Sequence, residues 1–448
     1  MPLRVYKFGG SCLTNTSSLE RVRALIERGG GAPVVCVFSA LQGVTDRLLE
    51  MARRALLGDV ETSALLSEHA AYLKPCTAEL RAQAEARLAA LAEELRRTLL
   101  GIGYLQEVSP RVRDRVASFG ERAAVILAET LLGQAGLPVE GFPDADTGLT
   151  TDGMHGDARI LRPSADEVRR RFADREKVFV VPGFIGRDEK GNVTTLGRGG
   201  SDYTATFIGA ALGCDTTLFK DVEGLLTADP KIVPDARPIA RLHYLDALEL
   251  AHYGTKAIAE KAILPTMRAG TRIEIRGFLN PELVSTIEAG EADVLAITCV
   301  RRAIMVDFEG VNEDMLRTLS RIFIMFADTH TFPLLLTEAS PRGETSIVLK
   351  EEDYPRLAQH LRAERLETPP TTTEDLGVVA VIGSHMKGRV GFAASIFQCL
   401  GSHGINIVAI AQTASERNVS VIVGREVVEE AVRALHARFI GQTARAQR

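Results

Sequence analysis

Apolar runs of four or five residues alternate with longer amphipathic stretches over the first two thirds of the chain. Residues 34–38 and 178–181 are apolar throughout, which is typical of strands buried on both faces of a parallel sheet. Residues 3–6 predict a further strand. Apolar residues at helical spacing fill the stretches between these runs. The pattern therefore predicts an α/β fold over residues 1–295, in which helices sandwich an open, mainly parallel sheet.

Residues 50–101 differ in composition from their surroundings, because alanine, leucine, glutamate and arginine dominate them. The leucines at positions 88, 91, 95 and 99 keep helical spacing. We predict an inserted helical hairpin here, which covers the sheet and turns its charged face to solvent.

The last third of the chain contains an internal repeat at an offset of 74 residues. Ile322-Phe323 recurs as Ile396-Phe397, and residues 346–349 recur as 420–423. Around each copy the pattern predicts a strand, an amphipathic helix, two strands and a second helix. We therefore predict two small βαββαβ units behind the first domain. The predicted boundaries are 1–295 for the first domain, 296–373 for the first unit and 374–448 for the second.

The composition is that of an ordinary globular protein, with 46% apolar and 25% charged residues. A net charge of −5 without a basic cluster argues against a nucleic-acid partner. No apolar run is long enough to span a bilayer, and the chain starts without a charged and then apolar leader. We therefore expect no membrane partner and no secretion.

Six cysteines are scattered singly along the chain. None forms a C-x-x-C pair, and none stands at metal-site spacing with a histidine. This usage is typical of a reducing compartment, so we expect a cytoplasmic protein without a metal site of its own.

A lysine and a glycine pair close the first predicted strand, with Lys7 followed by Gly9, Gly10 and Ser11. Such a loop can turn several N–H groups towards an anion, and a helix is predicted to begin near residue 18. The combination suits a polyphosphate, because lysine supplies positive charge for phosphoryl transfer. Taken alone, the glycine pair is more typical of a plain turn with a surface lysine.

A second glycine-dense loop precedes a helix that contains Ile208. Its arginine can bind a carboxylate through two parallel hydrogen bonds, and its backbone can offer N–H groups to an anion. A tight loop with a good helix cap is an equal alternative. The candidate residues of this loop are Arg198, Gly199, Gly200, Ser201 and Asp202.

Three further polar residues follow predicted buried strands or open helices. Ser39 and Thr45 come after the strand at 34–38, where open α/β sheets bind ligands. For Thr45 the N-cap of the next helix is the favoured alternative. Glu121 opens a helix after a glycine, where the helix dipole favours a carboxylate, and the functional alternative is that it holds an ammonium group.

A long polar loop follows the strand predicted at 217–220. Loops of this length are more often functional than idle. Lys220 and Lys231 bracket the loop and are candidate phosphate contacts, and Lys256 lies near the start of the next helix.

In order and spacing, these motifs resemble the aspartate kinases of the amino-acid-kinase family. The C-terminal repeat resembles their tandem ACT domains, and its residues 405–412 and 420–423 are similar to the second ACT unit. The resemblance covers nearly the whole chain. The matching motifs are Lys7–Ser11, Glu121, Arg198–Ala205, residues 221–224 and residues 227–230.

The resemblance implies ATP-dependent phosphorylation of the β-carboxylate of L-aspartate to 4-phospho-L-aspartate, the first step towards lysine, threonine and methionine. It implies Mg²⁺ as the partner of ATP. Lys7 and Asp202 would be catalytic, and Lys7 with Gly9, Gly10 and Ser11 would cradle the phosphate. The implied aspartate contacts are Ser39, Thr45, Glu121, Arg198, Gly199, Gly200 and Ser201. The implied nucleotide contacts are Lys220, Asp221, Leu226, Lys231 and Lys256.

The chain departs from the family pattern in several places. Leu226 stands where many relatives have tyrosine, Lys220 where a small hydroxyl residue is common, and residues 259–261 replace a His-Pro segment. The first repeat has residues 312–316 in place of a glycine-containing effector loop, whereas the second keeps such a loop at 386–391.

The resemblance further implies that the ACT units are nested, with the C-terminal end returning to the first unit. It implies feedback by lysine or threonine, and we expect a homodimer or larger assembly because exposed sheet edges favour pairing. Two alternatives remain open at this point. One is another kinase of the same family, and the other is a non-catalytic amino-acid sensor with a decayed kinase domain.

Overall fold

The computed structural model describes residues 3–144, 146–222, 224–255, 257–290, 292–308, 313–328, 332–339, 344–364 and 369–441. The chain divides into two compact units. Unit 1 comprises Met1–Gly224 and Ala257–Ala289, and unit 2 comprises Leu225–Lys256 and Gly290–Arg448. Residues 225–256, which we assigned to the first domain, are thus grouped with the C-terminal part of the chain.

The strands and helices follow one another in the α/β order that the apolar pattern predicts. The strands are β1 (Arg4–Phe8), β2 (Val34–Phe38), β3 (Val139–Gly141), β4 (Thr150–Thr151), β5 (Val178–Pro182), β6 (Ile185–Asp188), β7 (Val193–Thr195), β8 (Thr216–Lys220), β9 (Arg241–His243), β10 (Ile273–Gly277), β11 (Val284–Glu288), β12 (Ala296–Phe308), β13 (Leu335–Ala339), β14 (Glu344–Lys350), β15 (Thr371–Ile382), β16 (Ala409–Gln412) and β17 (Asn418–Gly424).

The helices are α1 (Thr16–Arg28), α2 (Val44–Ala55), α3 (Ser63–Ala71), α4 (Ala78–Leu105), α5 (Pro110–Ala117), α6 (Phe119–Gln134), α7 (Ser164–Arg171), α8 (Gly200–Leu212), α9 (Tyr244–His252), α10 (Glu260–Ala269), α11 (Glu313–Asp328), α12 (Tyr354–Glu364), α13 (Phe392–Ser402) and α14 (Val428–His436). Short 3-10 turns occur at Gly10–Cys12, Ser384–Met386 and Arg425–Val427, and a π-turn occurs at Ala437–Gly441.

Unit 1 is built on a mainly parallel sheet with the strand order β3-β5-β2-β1-β8-β10-β11. β1 lies between β2 and β8 and is parallel to both, β2 is parallel to β5, and β11 runs antiparallel to its neighbour β10. The carboxyl ends of β1, β2, β5 and β8 therefore meet at one edge of the sheet. Ligands of open α/β sheets bind at such an edge, where the chain crosses to opposite sides of a central strand.

Helices cover both faces of this sheet, which confirms the predicted fold class. Tyr6, Phe8 and Phe38 point into an apolar cluster formed with α1, α2, α4 and α6. On the other face, α8 packs against β1, β2 and β8, and α10 packs against α8. The rings of Phe8 and Phe219 stack at 5.1 Å and join two neighbouring strands.

The predicted insertion at 50–101 corresponds to three helices, α2, α3 and α4, rather than a two-helix hairpin. The four leucines at positions 88, 91, 95 and 99 are buried in the apolar cluster with Phe8. The insertion therefore covers the sheet as predicted, and the extra helix follows from the turn residues at 56–62 that separate α2 from α3.

Unit 2 contains an antiparallel sheet with the strand order β13-β14-β12-β15-β17-β16. The two repeats share it through β12. Residues 296–300 of β12 pair with 378–382, and residues 303–308 pair with β14. Ile297 lies in the apolar cluster of α13 and α14, whereas Ile304 lies in that of α11 and α12. The second repeat thus uses the start of β12, which lies before our predicted boundary at 373.

No strand follows β17 among the residues that the structure describes, so the expected return of the C-terminal end to the first repeat is not seen there. The segment after β17 forms α14, whose Val428 and Leu435 pack into the second repeat's core. Residues 225–256 join unit 2 because Ala228, Ile232 and Val233 are buried in that same cluster. No helix in the described part of the chain is both long and apolar enough to cross a membrane.

Candidate active site

The site begins at the end of β1, where the chain passes Lys7 and turns at Gly9 and Gly10. A Cβ atom at Gly9 would lie 3.1 Å from Lys7 Nζ, so the buried ammonium group lies directly against the loop backbone. A Cβ atom at Gly10 would lie 2.8 Å from the Ala40 carbonyl oxygen, closer than real Cβ contacts come. The predicted glycine loop is therefore tight for two different reasons, one at each glycine.

Three charged side chains from different elements meet beside this loop. The Lys7 ammonium lies 2.8 Å from Asp202 Oδ1, and the Lys220 ammonium donates to Asp202 Oδ2 at 2.6 Å. Asp202 stands in the first turn of α8, Lys7 near the end of β1 and Lys220 at the end of β8. The structure thus brings together three of the predicted residues, at the sheet edge where the sequence placed them.

Electrostatics in this cluster favour the charged form of Asp202 and disfavour that of Lys220. Burial opposes ionisation of Asp202, but the ammonium groups of Lys220 and Lys7 outweigh it and hold the pKa of that carboxyl at about 2. Burial, assisted by the neighbouring Lys7 charge, lowers the pKa of the Lys220 ammonium, which Asp202 opposes. Two lysines beside one aspartate give the cluster an excess of one formal positive charge. Such a centre can attract and orient a phosphate group.

α8 begins beside this cluster. Gly199 is its N-cap residue with φ +71°, a left-handed conformation that favours glycine. Gly200 and Ser201 form the first turn, where N–H groups have no partner within the helix. The helix start and the cationic cluster therefore provide donors and positive charge on one side of the loop.

The ends of the neighbouring strands β2 and β5 lie at the same edge of the sheet. The Ser39 N–H donates to the Phe8 carbonyl at 3.1 Å, and the Gly183 N–H donates to the Phe38 carbonyl at 2.8 Å. A Cβ atom at Gly183 would lie 2.6 Å from Ser201 Cβ, so Gly183 lets α8 approach β5. We did not predict Gly183 as a site residue, although a glycine directly after a buried strand was the available signal.

Glu121 is a buried carboxylate in the first turn of α6. Burial raises its pKa to about 8, even though the Ala40 N–H and its own N–H favour the ionised form. Its Oε2 atom is buried and has no hydrogen-bond partner among the described residues. A carboxylate in this state needs a cationic partner to ionise, and a substrate ammonium group would provide one. The alternative, that the helix dipole favours a carboxylate at the start of α6, also agrees with the position of Glu121. It does not provide a hydrogen-bond partner for Oε2.

Thr45 and Arg198 lie near these residues in the fold. Gly43, not Thr45, is the N-cap residue of α2, so the favoured alternative for Thr45 is wrong. Thr45 is half-buried in the first turn of α2. Arg198 is exposed on the loop between β7 and α8, next to the first turn that carries Asp202.

A further ion pair fixes the loop that carries Arg198. The Lys261 ammonium lies 2.6 Å from Asp157 Oδ1 and also donates to the Leu196 carbonyl. The Gly197 backbone packs directly against the Asp157 side chain. No pattern in the sequence pairs residues 157 and 261, because they lie far apart along the chain and neither belongs to a glycine-rich motif.

The remaining predicted nucleotide contacts are not brought together in one unit. Ser11 and Asp221 lie in unit 1, where Asp221 is exposed just after β8. Leu226 and Lys231 belong to unit 2, where Leu226 bridges to Pro238 and Lys231 is exposed. Lys256 lies outside the described residues. These assignments stay predictions.

Among the described residues, no group of three histidine, cysteine, aspartate or glutamate side chains is arranged to hold a metal ion. All six cysteines are free thiols.

Two family models match the sequence. That of the amino acid kinase family matches residues 2–277, and that of the ACT domain matches residues 379–439. An aspartokinase from Thermus thermophilus is 31% identical over 356 residues, which are 75% of this chain and 86% of that protein. An aspartokinase from Geobacillus stearothermophilus is 29% identical over 457 residues, which are 98% and 97% of the two chains.

Solved structures show the same fold. One is the R-state of E. coli aspartokinase III in complex with aspartate and ADP, with a TM-score of 0.81 and 23% identity. The match covers 98% of this chain and 100% of that chain. The same protein in complex with lysine and aspartate, its T-state, gives a TM-score of 0.73 at 24% identity, with 98% and 99% covered.

Proposed function

Because the chain belongs to the amino acid kinase family, we propose that it is an aspartate kinase, which transfers the γ-phosphoryl group of ATP to the β-carboxylate of L-aspartate. The observation that carries this proposal is the buried cluster of Lys7, Asp202 and Lys220. It lies at the carboxyl edge of the parallel strands, where this fold class binds its ligands.

The chemistry needs little proton transfer. A carboxylate is already ionised at neutral pH, so aspartate attacks phosphorus without a general base. The main obstacle is the repulsion between two anions. Positive charge and N–H donors that are in place before the reaction lower that barrier. Lys7, held by Asp202 over the Gly9-Gly10 loop, supplies charge for the transferring phosphoryl group.

The aspartate side of the site consists of the α6 and α8 starts and the loop before α8. Glu121 receives the substrate ammonium, which satisfies its buried Oε2 atom. Arg198 binds a substrate carboxylate through two parallel hydrogen bonds. The other residues that line this side are Ser39, Thr45, Gly199, Gly200 and Ser201.

We assign the nucleotide to the side of Gly9, Gly10 and Ser11, with Lys220 and Asp221 at the end of β8. E. coli aspartokinase III has been solved in complex with aspartate and ADP, which supports a nucleotide on this side of the site. Mg²⁺ accompanies ATP and neutralises part of the phosphate charge when bound. Phosphate oxygens and water would hold that ion, and Asp221 is an exposed carboxylate of the loop after β8.

We also propose that an amino acid regulates the enzyme. E. coli aspartokinase III has been solved in complex with lysine and aspartate. In this chain, residues of the loop at 386–391 line a cavity of about 260 Å³ in the second repeat. Its lining includes Met386, Arg389, Phe392, Gln412, Glu416 and Val419. The matching residues of the first repeat, 312–316, lie outside the described side chains. Lysine or threonine is the proposed effector, and a cytoplasmic homodimer or larger assembly is the proposed state.

ADP release from the full chain tests the proposal. We expect release with L-aspartate and ATP, and none above background with L-glutamate or N-acetyl-L-glutamate. Lys7→Ala should reduce kcat at least 100-fold, because the transferring phosphoryl group loses its nearest cation. Activity with another acid alone would identify a different kinase of the family. No ADP release together with tight amino-acid binding would identify a non-catalytic sensor.

A further inference from the structure

A second buried carboxylate, Asp114 of α5, lies outside the residues assigned above. Its side chain is 2% exposed. Asp114 Oδ2 accepts from His155 Nδ1 at 2.9 Å, from the Gly156 N–H at 3.0 Å and from the Thr195 N–H at 2.9 Å. Asp114 Oδ1 accepts from the Thr195 hydroxyl at 2.6 Å. Because four donors bind this one buried carboxylate, Asp114 links three segments of the chain firmly: the helices α5 and α6, the end of β7, and residues 155–156.

The first of these segments leads to Glu121. α5 and α6 run almost continuously, because Ser118 has helical backbone angles and its N–H donates to the Asp114 carbonyl at 3.0 Å. Asp114 and Glu121 are seven residues apart, which is two helical turns, so they share a face of this helical stretch. A displacement of Asp114 would therefore move the carboxylate proposed to bind the substrate ammonium.

The second segment leads to Arg198. Asp114 holds both the N–H and the hydroxyl of Thr195, the last residue of β7. The Ala158 N–H donates to the Thr195 carbonyl at 2.9 Å. Only two residues, Leu196 and Gly197, separate Thr195 from Arg198, and Lys261 fixes the Leu196 carbonyl. The position of Asp114 is thus transmitted directly to the loop that carries the guanidinium group.

We propose that Asp114 is a positioning residue that fixes the Glu121 carboxylate and the Arg198 loop relative to each other, and so selects L-aspartate by the arrangement of groups around its α-carbon. The inference rests on the proposed function. A bound amino acid is recognised as L or D by three contacts, here its ammonium, a carboxylate and the reacting carboxylate. If two of these contacts shift relative to each other, the site loses discrimination between the enantiomers. None of the four hydrogen bonds on Asp114 reaches the nucleotide loop at Gly9.

The test compares Asp114→Ala, Asp114→Asn and the wild type in the full chain. In Asp114→Ala we expect KM for L-aspartate to rise about tenfold, KM for ATP to stay within twofold, and the L-to-D ratio of kcat/KM to fall at least fivefold. Asp114→Asn should restore most of the loss. Its amide oxygen can accept from the same three N–H donors while its NH₂ group donates to the Thr195 hydroxyl.

Asp152→Ala is the matched control. Asp152 lies in the same segment as His155 and accepts from the Met154 and Arg159 N–H groups, both at 3.1 Å. None of the four hydrogen bonds on Asp114 involves it. We expect its effect on both KM values to stay within twofold. If Asp114→Ala does not fold, Thr195→Val removes only the hydroxyl donor. It should raise KM for L-aspartate two- to fivefold and lower the L-to-D ratio in the same direction.

Two failures are distinguishable. If the wild-type chain releases no ADP with L-aspartate, the proposed function fails and this inference falls with it. If the wild type is active but the Asp114 and Thr195 variants raise both KM values equally, or keep the wild-type L-to-D ratio, only the inference is overturned and Asp114 is merely structural.

Discussion

The ammonium group of Lys7 lies 2.8 Å from the carboxylate of Asp202, although the two residues are 195 positions apart in the sequence. Both side chains are buried, and Lys220 occupies the other carboxylate oxygen. One carboxylate therefore holds two cations at the place where a phosphate is proposed to bind. We therefore propose that Asp202 keeps these two cations in place.

Asp202→Asn should lower kcat by two to three orders of magnitude, because the two ammonium groups then repel each other without a counter-charge. Since the pKa of Asp202 is held at about 2, the carboxylate should stay ionised throughout the working range. Its contribution to stability is present above pH 4 and is lost as the pH falls through about 2. A kcat profile from pH 5 to 9 should therefore show no step from this group, and a step that vanishes in Asp202→Asn would contradict us.

Gly9→Ala should lower kcat about tenfold or more with little change in melting temperature. The backbone of Gly9 has φ −74°, which alanine accepts, but the added Cβ atom would lie 3.1 Å from Lys7 Nζ, so this ammonium group must shift by a few tenths of an ångström. ADP release and thermal unfolding measure the two effects. Gly133→Ala in α6 is the control, because nothing lies within 4 Å of the added Cβ atom. That variant should be fully active and as stable as the wild type or more so.

Glu121→Gln should abolish aspartate turnover and flatten the pH dependence of stability. The pKa of about 8 in the folded chain exceeds the ordinary glutamate value of about 4.3. The folded state therefore keeps a proton that the unfolded state releases, so stability falls as the pH rises from about 4.3 to 8. We expect a weaker fall in Glu121→Gln and a melting temperature at pH 8 that is a few degrees higher. Identical pH slopes for both proteins would refute this assignment.

Binding of L-aspartate should release a proton from the wild type near pH 7, because the substrate ammonium stabilises the ionised form of Glu121. Calorimetric titrations in two buffers with different ionisation enthalpies measure this release. Glu121→Asp retains a carboxylate and is the comparison, and we expect it to bind more weakly but still release a proton. Binding without proton exchange in the wild type would count against an ammonium contact at this carboxylate.

Arg417→Ala should destabilise unit 2 by about 3–5 kcal/mol, because it leaves the fully buried Asp246 without its ion-pair partner at 2.7 Å. Burial already raises the pKa of Asp246, and loss of Arg417 raises it further, so the destabilisation should be smaller at pH 5 than at pH 8. Denaturant unfolding measures both. Arg301→Ala removes only exposed ion pairs with Asp229 and Glu429 and should cost at most about 1 kcal/mol.

Local patterns were sufficient to predict the sheet and the loop around Lys7. Buried strands such as 34–38 are apolar over their whole length, and the glycine pair marks a turn, so both signals lie within a few neighbouring residues. Local patterns also made Asp202 and Glu121 candidates, and the resemblance then gave Asp202 a catalytic role and Glu121 the substrate ammonium. The structure adds what neither could give, namely that Lys220 shares the Asp202 carboxylate and that Glu121 Oε2 has no partner among the described residues.

Long-range polar pairs were the part that the sequence could not predict. Asp114 and Thr195 are 81 residues apart, and Lys261 and Asp157 are 104 apart. Each is an ordinary charged or hydroxyl residue on an amphipathic or loop segment, where solvent exposure is the usual outcome. Residues 225–256 posed the same difficulty. They begin with the predicted polar loop, and only the burial of Ala228, Ile232 and Val233 shows which core this segment joins.

The grouping of residues 225–256 with unit 2 limits where the chain can be cut into fragments. A fragment that stops at residue 295 would keep residues 225–256 but lose the strands and helices that bury Ile232 and Val233. In such a fragment these apolar side chains would be exposed to solvent and would promote aggregation. A viable catalytic fragment would have to excise this segment as well and bridge Gly224 to Ala257, so the kinase and its regulatory half are interleaved along the chain rather than joined end to end.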